Sequence, residues 1–154
     1  MIDNVRRILV LCTANRCRSQ MAEGWLRCFA GSRLSVCSAG TAPKPLHSLA
    51  IRVMAEAGVD IADQASHHVD HYADQPFQVV VTVCDGVVEA CPIFARAGRL
   101  VHQPFDDPDR SGLPDAELID LFRRVRDEIC DWARGFVVAE CDDASTTATP
   151  CDAG

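Results

Sequence analysis

Several features that mark whole classes of protein are scarce or missing here. No apolar run approaches the roughly 20 residues that a membrane-spanning helix needs, and the N-terminal stretch around Asp3, Arg6 and Arg7 holds no apolar segment of signal-peptide length. Basic excess is also missing: 15 Lys and Arg stand against 22 Asp and Glu, a formal net charge of −7. Such a balance argues against a nucleic-acid partner. Glu140, Asp142, Asp143 and Asp152 carry much of that charge, so the rest of the chain is only mildly acidic. An anionic substrate would have to be held by local arginine and amide geometry, not drawn in by the overall field. There is no Cys-x-x-Cys pair, and the nine cysteines lack the regular spacing of a secreted disulfide framework. Tyrosine occurs once, as Tyr72. The expectation is a cytoplasmic protein with no membrane and no nucleic-acid partner, some of whose thiols are chemical.

What is present is a chain of 154 residues, 48% hydrophobic, enough for one domain with an ordinary core. Residues 5 to 12 read as a buried strand, and Arg18 to Ala30 as a helix with Met21, Ala22, Trp25, Cys28 and Phe29 on its apolar stripe. Leu34 to Cys37 reads as a second strand ending at Ser38-Ala39-Gly40. A second helix carries Leu46, Leu49, Val53, Met54 and Ala57, and stops at Gly58. Beyond it, Ser66 is a candidate cap for a short helix, and His67 and His71 have the spacing of a metal pair, although a solvated helix face is the better reading. Gln78 to Cys84 is a continuous β-branched run of the kind found in central parallel strands. A connector from Gly86 to Ala97 leads to a fourth strand, Arg99 to Gln103. A long helix from Pro114 then carries Leu118, Leu121, Phe122, Val125, Ile129, Trp132 and Phe136. Residues 1–140 form the expected domain, and 141–154, with Cys141 and Cys151, an expected disordered tail. Alternation of strand and helix predicts a single α/β domain with a four-stranded parallel sheet, order 2-1-3-4, helices on both faces, and ligands outside the carboxyl ends of the strands.

The chemistry centres on the turn from the first strand to the first helix, Cys12-Thr13-Ala14-Asn15-Arg16-Cys17-Arg18-Ser19. Loop amides and a helix N-terminus there make an oxyanion cradle with a thiol in its floor. Helix, amides and Arg18 are all expected to favour the Cys12 thiolate and pull its pKa down. The Cys-x5-Arg spacing alone would arise about once by chance, but only this one joins a strand to a helix. Cys84 and Asp107 also follow strands and so converge on the same edge, where Asp107 is the candidate acid for a leaving group and the adjacent Asp106 a competitor.

Together with Gln20-Met21-Ala22-Glu23-Gly24-Trp25, Ser38-Ala39-Gly40, Val81-Thr82-Val83-Cys84, Cys91-Pro92 and Phe105-Asp106-Asp107-Pro108, this loop resembles the thioredoxin-coupled arsenate reductases, which share the low-molecular-weight tyrosine phosphatase fold. The resemblance covers about residues 5 to 137. It implies a phosphatase-type anion loop of Thr13, Ala14, Asn15, Arg16, Cys17 and Arg18, with Cys12, Arg18, Ser19, Cys84, Cys91 and Asp107 as the catalytic set. It implies that Cys12 attacks arsenate, Asp107 protonates departing hydroxide, Cys84 attacks Cys12 to release arsenite, and Cys91 takes the oxidation to a disulfide that thioredoxin reduces. Phosphate and sulfate would compete as oxyanions, and no cofactor is required. Some relatives bind potassium beneath the loop. Asn15, Glu23 and Ser38 match three ligands, but His67 stands where the acidic fourth would be, so any such site is weak.

Electron counting supports the additional thiols, because arsenate to arsenite takes two electrons, whereas phosphoryl transfer takes none. Cys84 and Cys91 are seven residues apart, about 10.5 Å along an unbroken helix. Bridged Cα atoms must approach within about 7 Å, so the segment between them must loop or unwind. The alternative enzyme is a low-molecular-weight tyrosine phosphatase using Cys12, Arg18 and Asp107. Such phosphatases usually carry Tyr after the Asp-Pro pair, where this chain has Asp109. A soft-metal or arsenite sensor built on the thiols and the histidine cluster is a third, weaker reading.

Overall fold

The computed structural model describes residues 5–84, 97–109 and 112–142. Four strands, β1 (Arg6–Cys12), β2 (Leu34–Gly40), β3 (Phe77–Thr82) and β4 (Ala97–His102), form one sheet in the order β2-β1-β3-β4, parallel throughout. Three helices accompany them: α1 (Arg18–Ala30), α2 (Ser48–Glu56) and α3 (Asp115–Asp142). The chain is a single α/β domain with the expected strand order. Among the described residues no helix is long and apolar enough to cross a membrane.

Ile8, Leu9, Val10 and Leu11 are all fully buried. Successive strand residues point to opposite faces, so the sheet centre is covered on both sides, and this explains the unalternating apolar run. On α1, Met21, Leu26 and Phe29 are buried, and the helix packs along α3, whose Phe122, Val125, Ile129 and Ala133 are buried in the same core. α2 ends at Glu56, and the chain turns away two residues later at Gly58, whose φ of +89° is costly for any residue with a Cβ.

The strand ends align because the sheet is in register. Cys12 pairs with Gly40, Leu11 with Thr82, and Thr82 with His102. The Thr82 hydroxyl and His102 Nδ1, 2.6 Å apart, tie β3 to β4 at this edge. Everything that follows β1, β2, β3 and β4 therefore emerges at one rim.

Some boundaries differ from expectation. β2 runs on through Ser38, Ala39 and Gly40 because these residues stay in register with β1. Ser66 caps no helix; a 3-10 turn over Val69–Tyr72 begins instead at His68, whose ring accepts a hydrogen bond from the Asp70 N–H. The expected helical face at His67 and His71 is absent, and the two rings stack at 4.4 Å. At the C-terminus α3 continues past Glu140. Cys141, four residues on from Val137, falls on the same stripe and is buried, so it belongs to the core and not to a tail. Glu140 is itself buried and pairs with Arg6 and Arg99, fastening the end of α3 to the sheet. Residues 143–154, and with them Cys151, lie outside the described residues, as does most of the connector after Cys84.

Candidate active site

The turn after β1 is held from outside. The carbonyls of Thr13, Ala14 and Arg16 accept hydrogen bonds from the N–H groups of Ala42, Lys44 and His47, and the Asn15 carbonyl accepts one from Gln20 Nε2. A trans peptide directs its N–H opposite to its carbonyl, so these bonds turn the loop amides toward the interior of the turn. Gly40 makes the close approach possible: a Cβ there would lie 2.4 Å from the Thr13 carbonyl oxygen and 2.9 Å from the Asn15 nitrogen.

Asn15 adopts a left-handed φ of 48°, uncommon for a residue with a side chain, and is fully buried. Its side chain is fixed at both ends. Nδ2 donates to Ser19 Oγ and Ser38 Oγ, each at 2.9 Å, and Oδ1 accepts from the His67 N–H at 2.8 Å. Ser38 Oγ donates to Glu23 Oε1 at 2.6 Å, and Glu23 Oε2 pairs with Arg27 at 2.6 Å. Ser19 thus buttresses the loop from below.

Asn15, Glu23 and Ser38 do come together, as a potassium site would require, but their oxygens are engaged by protein partners. Asn15 turns its amide nitrogen toward Ser38, and the Arg27 guanidinium supplies the positive charge next to Glu23. This donor set does not fit a bound alkali cation. Among the described residues no cluster of three or more His, Cys, Asp or Glu could hold a metal ion.

The turn encloses a cavity of about 400 Å³. Loop residues Cys12, Thr13, Ala14, Arg16, Cys17 and Arg18 line it, together with Lys44, Asp107 and Asp109. Arg18 donates through Nη1 to the Phe105 carbonyl at 3.1 Å and faces Asp107 Oδ2 through Nη2 at 3.7 Å. Its Nε is buried without a protein acceptor among the described residues, as a donor reserved for an anion would be. Asp107 Oδ1 accepts from the Asp109 N–H at 2.9 Å. Asp106 instead pairs with Arg124 on α3 at 2.9 Å and is not among the lining residues, whereas Asp107 lines the cavity and faces Arg18.

Cys84, just past β3, meets the floor of this site. Its sulfur lies 3.5 Å from Thr13 Oγ1, and its thiol stands close enough to Cys12 to act on that residue's ionisation. This contact reverses one expectation. The Cys12 pKa is raised, first by the hydrogen bond to Cys84 and then by burial, against the opposing pull of Arg18 and the Thr13 N–H. Two facing thiols cannot both ionise readily, so the second must form its charge beside the first. Cys17 is buried, and its thiol is pushed up to about 12 by desolvation and by Asp109. Cys28, expected to pack as a thiol, is disulfide-bonded. Cys91 lies outside the described residues.

Periodicity and spacing did not reveal the roles of Gln20, Arg27, Lys44 and His47, because their partners are distant in the chain. The structure turns the side chain of Arg16 away from the loop floor, toward the Pro45 carbonyl at 3.1 Å and the Asp109 carboxylate.

Residues 7–144 match the family model described as low molecular weight phosphotyrosine protein phosphatase. An arsenate reductase of Halalkalibacterium halodurans is 41% identical over 126 residues, covering 82% of this chain and 91% of that protein. A solved structure of an arsenate reductase in a phosphate-binding state superposes with a TM-score of 0.75 at 26% identity, over 87% of this chain and 98% of the other. A thioredoxin-dependent arsenate reductase of Corynebacterium glutamicum shares the fold with a TM-score of 0.64 at 23% identity, over 90% of this chain and 65% of that one. Sequence and fold together place the chain in the low molecular weight phosphotyrosine protein phosphatase family, among relatives that are arsenate reductases.

Proposed function

We propose that this protein reduces arsenate to arsenite with its own cysteines and is recycled by a dithiol protein of the thioredoxin class. The observation that carries this reading is a second free thiol, Cys84, set against Thr13 of the anion loop at 3.5 Å and acting on Cys12 beside the oxyanion cavity. A phosphatase has no use for a second sulfur there, whereas a two-electron reduction does.

In the first step the Cys12 thiolate attacks arsenic. An S–As bond forms, an As–O bond breaks, and the departing hydroxide leaves as water with a proton from Asp107. Arg18 and the loop amides hold the remaining oxygens. The Cys84 thiolate then attacks Cys12 Sγ. An S–S bond forms, the S–As pair stays on arsenic, and As(V) leaves as As(III) in arsenite. Attack of Cys91 on Cys84 would free Cys12 and move the disulfide outward, where an external dithiol supplies two electrons and two protons. Phosphate and sulfate, being tetrahedral oxyanions of similar charge, would compete for the cradle.

The test is stoichiometric. Cys91→Ser should release about one arsenite per enzyme and then stop with a Cys12–Cys84 disulfide that thioredoxin does not relieve. Cys84→Ser should release none, and the unaltered enzyme deprived of reductant should accumulate Cys84–Cys91. Multiple turnovers by Cys91→Ser with thioredoxin as sole donor would leave a two-cysteine scheme instead.

A further inference from the structure

We propose that Asp109, clasped between Arg16 and His47, is a specificity-determining residue that restricts the cavity to inorganic oxyanions and disfavours phosphate monoesters. The inference rests on the reductase reading above and names how the substrate class is chosen.

Among the described residues, the cavity is lined by the anion loop, by Lys44, and by Asp107 and Asp109. Asp109 joins the loop to the segment around His47. Its Oδ2 pairs with Arg16 Nη1, and its Oδ1 lies 3.5 Å from His47 Nε2. Both partners are themselves anchored. Arg16 Nε donates to the Pro45 carbonyl at 3.1 Å, and His47 Nδ1 accepts from the Leu49 N–H at 3.0 Å. With Nδ1 acting as acceptor, the proton of the neutral ring sits on Nε2, the atom that faces Asp109. The ring is also packed 4.8 Å from that of Phe122 on α3, so it has little freedom to swing aside. Asp109 in turn orients Asp107 by donating its backbone N–H to Oδ1.

A monoester differs from arsenate by the group on its leaving oxygen, and that group must pass Asp107, the acid that protonates it. When Cys12 attacks an aryl phosphate, an S–P bond forms and the P–O(aryl) bond breaks. The phenolate takes a proton from Asp107, and water later cleaves the thiophosphate. The aryl ring must therefore lie beside Asp107 and Asp109. There it meets an ion pair it would have to desolvate, and among the described residues none that lines the cavity is aromatic. Arsenate loses only hydroxide and makes no such demand.

The experiment compares kcat/KM for p-nitrophenyl phosphate with that for arsenate in the unaltered enzyme, Asp109→Ala and Asp109→Asn, after melting curves confirm folding. Asp109→Ala is expected to raise the ratio of aryl phosphate to arsenate at least tenfold, and Asp109→Asn, which keeps the shape but loses the ion pair, by a smaller factor. Arg16→Gln should move the ratio in the same direction. Folded variants with an unchanged ratio overturn the proposal. If the unaltered enzyme forms no arsenite, the reductase reading fails on its own account; the inhibition constant for inorganic phosphate then replaces arsenate in the ratio and still tests the clasp. A chain that binds no phosphate at all overturns both.

Discussion

Single residues set the chemistry of the cradle, and Cys12 is the one on which the others act. Its pKa is raised because Cys84 and burial together outweigh Arg18 and the Thr13 N–H. A thiol whose pKa is raised reaches its thiolate only at higher pH, so alkylation of Cys12 by iodoacetamide should climb toward alkaline pH. Replacing Cys84 by Ser removes the competing thiol and leaves Arg18 in place, so the same climb should occur at lower pH. Mass-spectrometric rates of Cys12 modification across pH would check this, and coincident profiles would show that Cys84 does not control its neighbour. Gly40 acts through space rather than charge. The Cβ of Gly40→Ala would overlap the Thr13 carbonyl, and the loop must shift by the amount needed to relieve it. We expect a loss of about 1–3 kcal/mol of stability in denaturant melts, typical of overpacking, together with a phosphate inhibition constant weakened at least tenfold.

Among the elements, α1 does more than present its N-terminus to the anion. Two turns further along it carries Glu23 and Arg27, and these reach back through Ser38 on β2 to the amide of Asn15. The left-handed turn at Asn15 is thus held by a helix and a strand at once, with Arg27 also donating to the Val36 carbonyl at 2.8 Å. Because the guanidinium already neutralises the buried carboxylate, exchanging sodium for potassium at equal ionic strength should change arsenite formation little. A strong activation by potassium would show that the cation displaces Arg27. Arg27→Gln leaves Glu23 unpaired and should weaken phosphate binding, with a smaller effect from Arg27→Lys.

At the scale of the whole molecule, parallel register brings every strand's carboxyl end to one rim, and the closing helix determines where the domain ends. α3 is fixed at its last turns by Glu140 and by Cys141 in the core. Removing residues 143–154 in the presence of reductant should leave arsenite formation intact. Removing 141–154 should lower the melting temperature, since it strips a buried side chain from the stripe that covers the sheet. Equal melting temperatures for the two truncations would return the boundary to Glu140.

Local pattern was sufficient wherever a contact is made with near neighbours in the chain or with an averaged apolar environment. The β-branched run of β3, the stripe of α3, the turn at Gly58 and the strand-turn-helix around Cys12 all follow from spacing, and the handedness of crossovers narrows the strand order. The convergence of Cys12, Cys84 and Asp107 follows from the same source, because each lies at or shortly beyond the carboxyl end of a parallel strand. Proximity between remote segments carries no such signature. The sequence offers nothing to say that Cys84 would oppose Arg18 in setting the Cys12 proton, that Arg27 would stand beside Glu23, or that Arg16 would reach across to Asp109, 93 residues away. Those pairings depend on which side chains the folded backbone brings within hydrogen-bond range. Electrostatic and hydrogen-bonding energies vary with ångström-scale distance and burial, which only the packed chain defines.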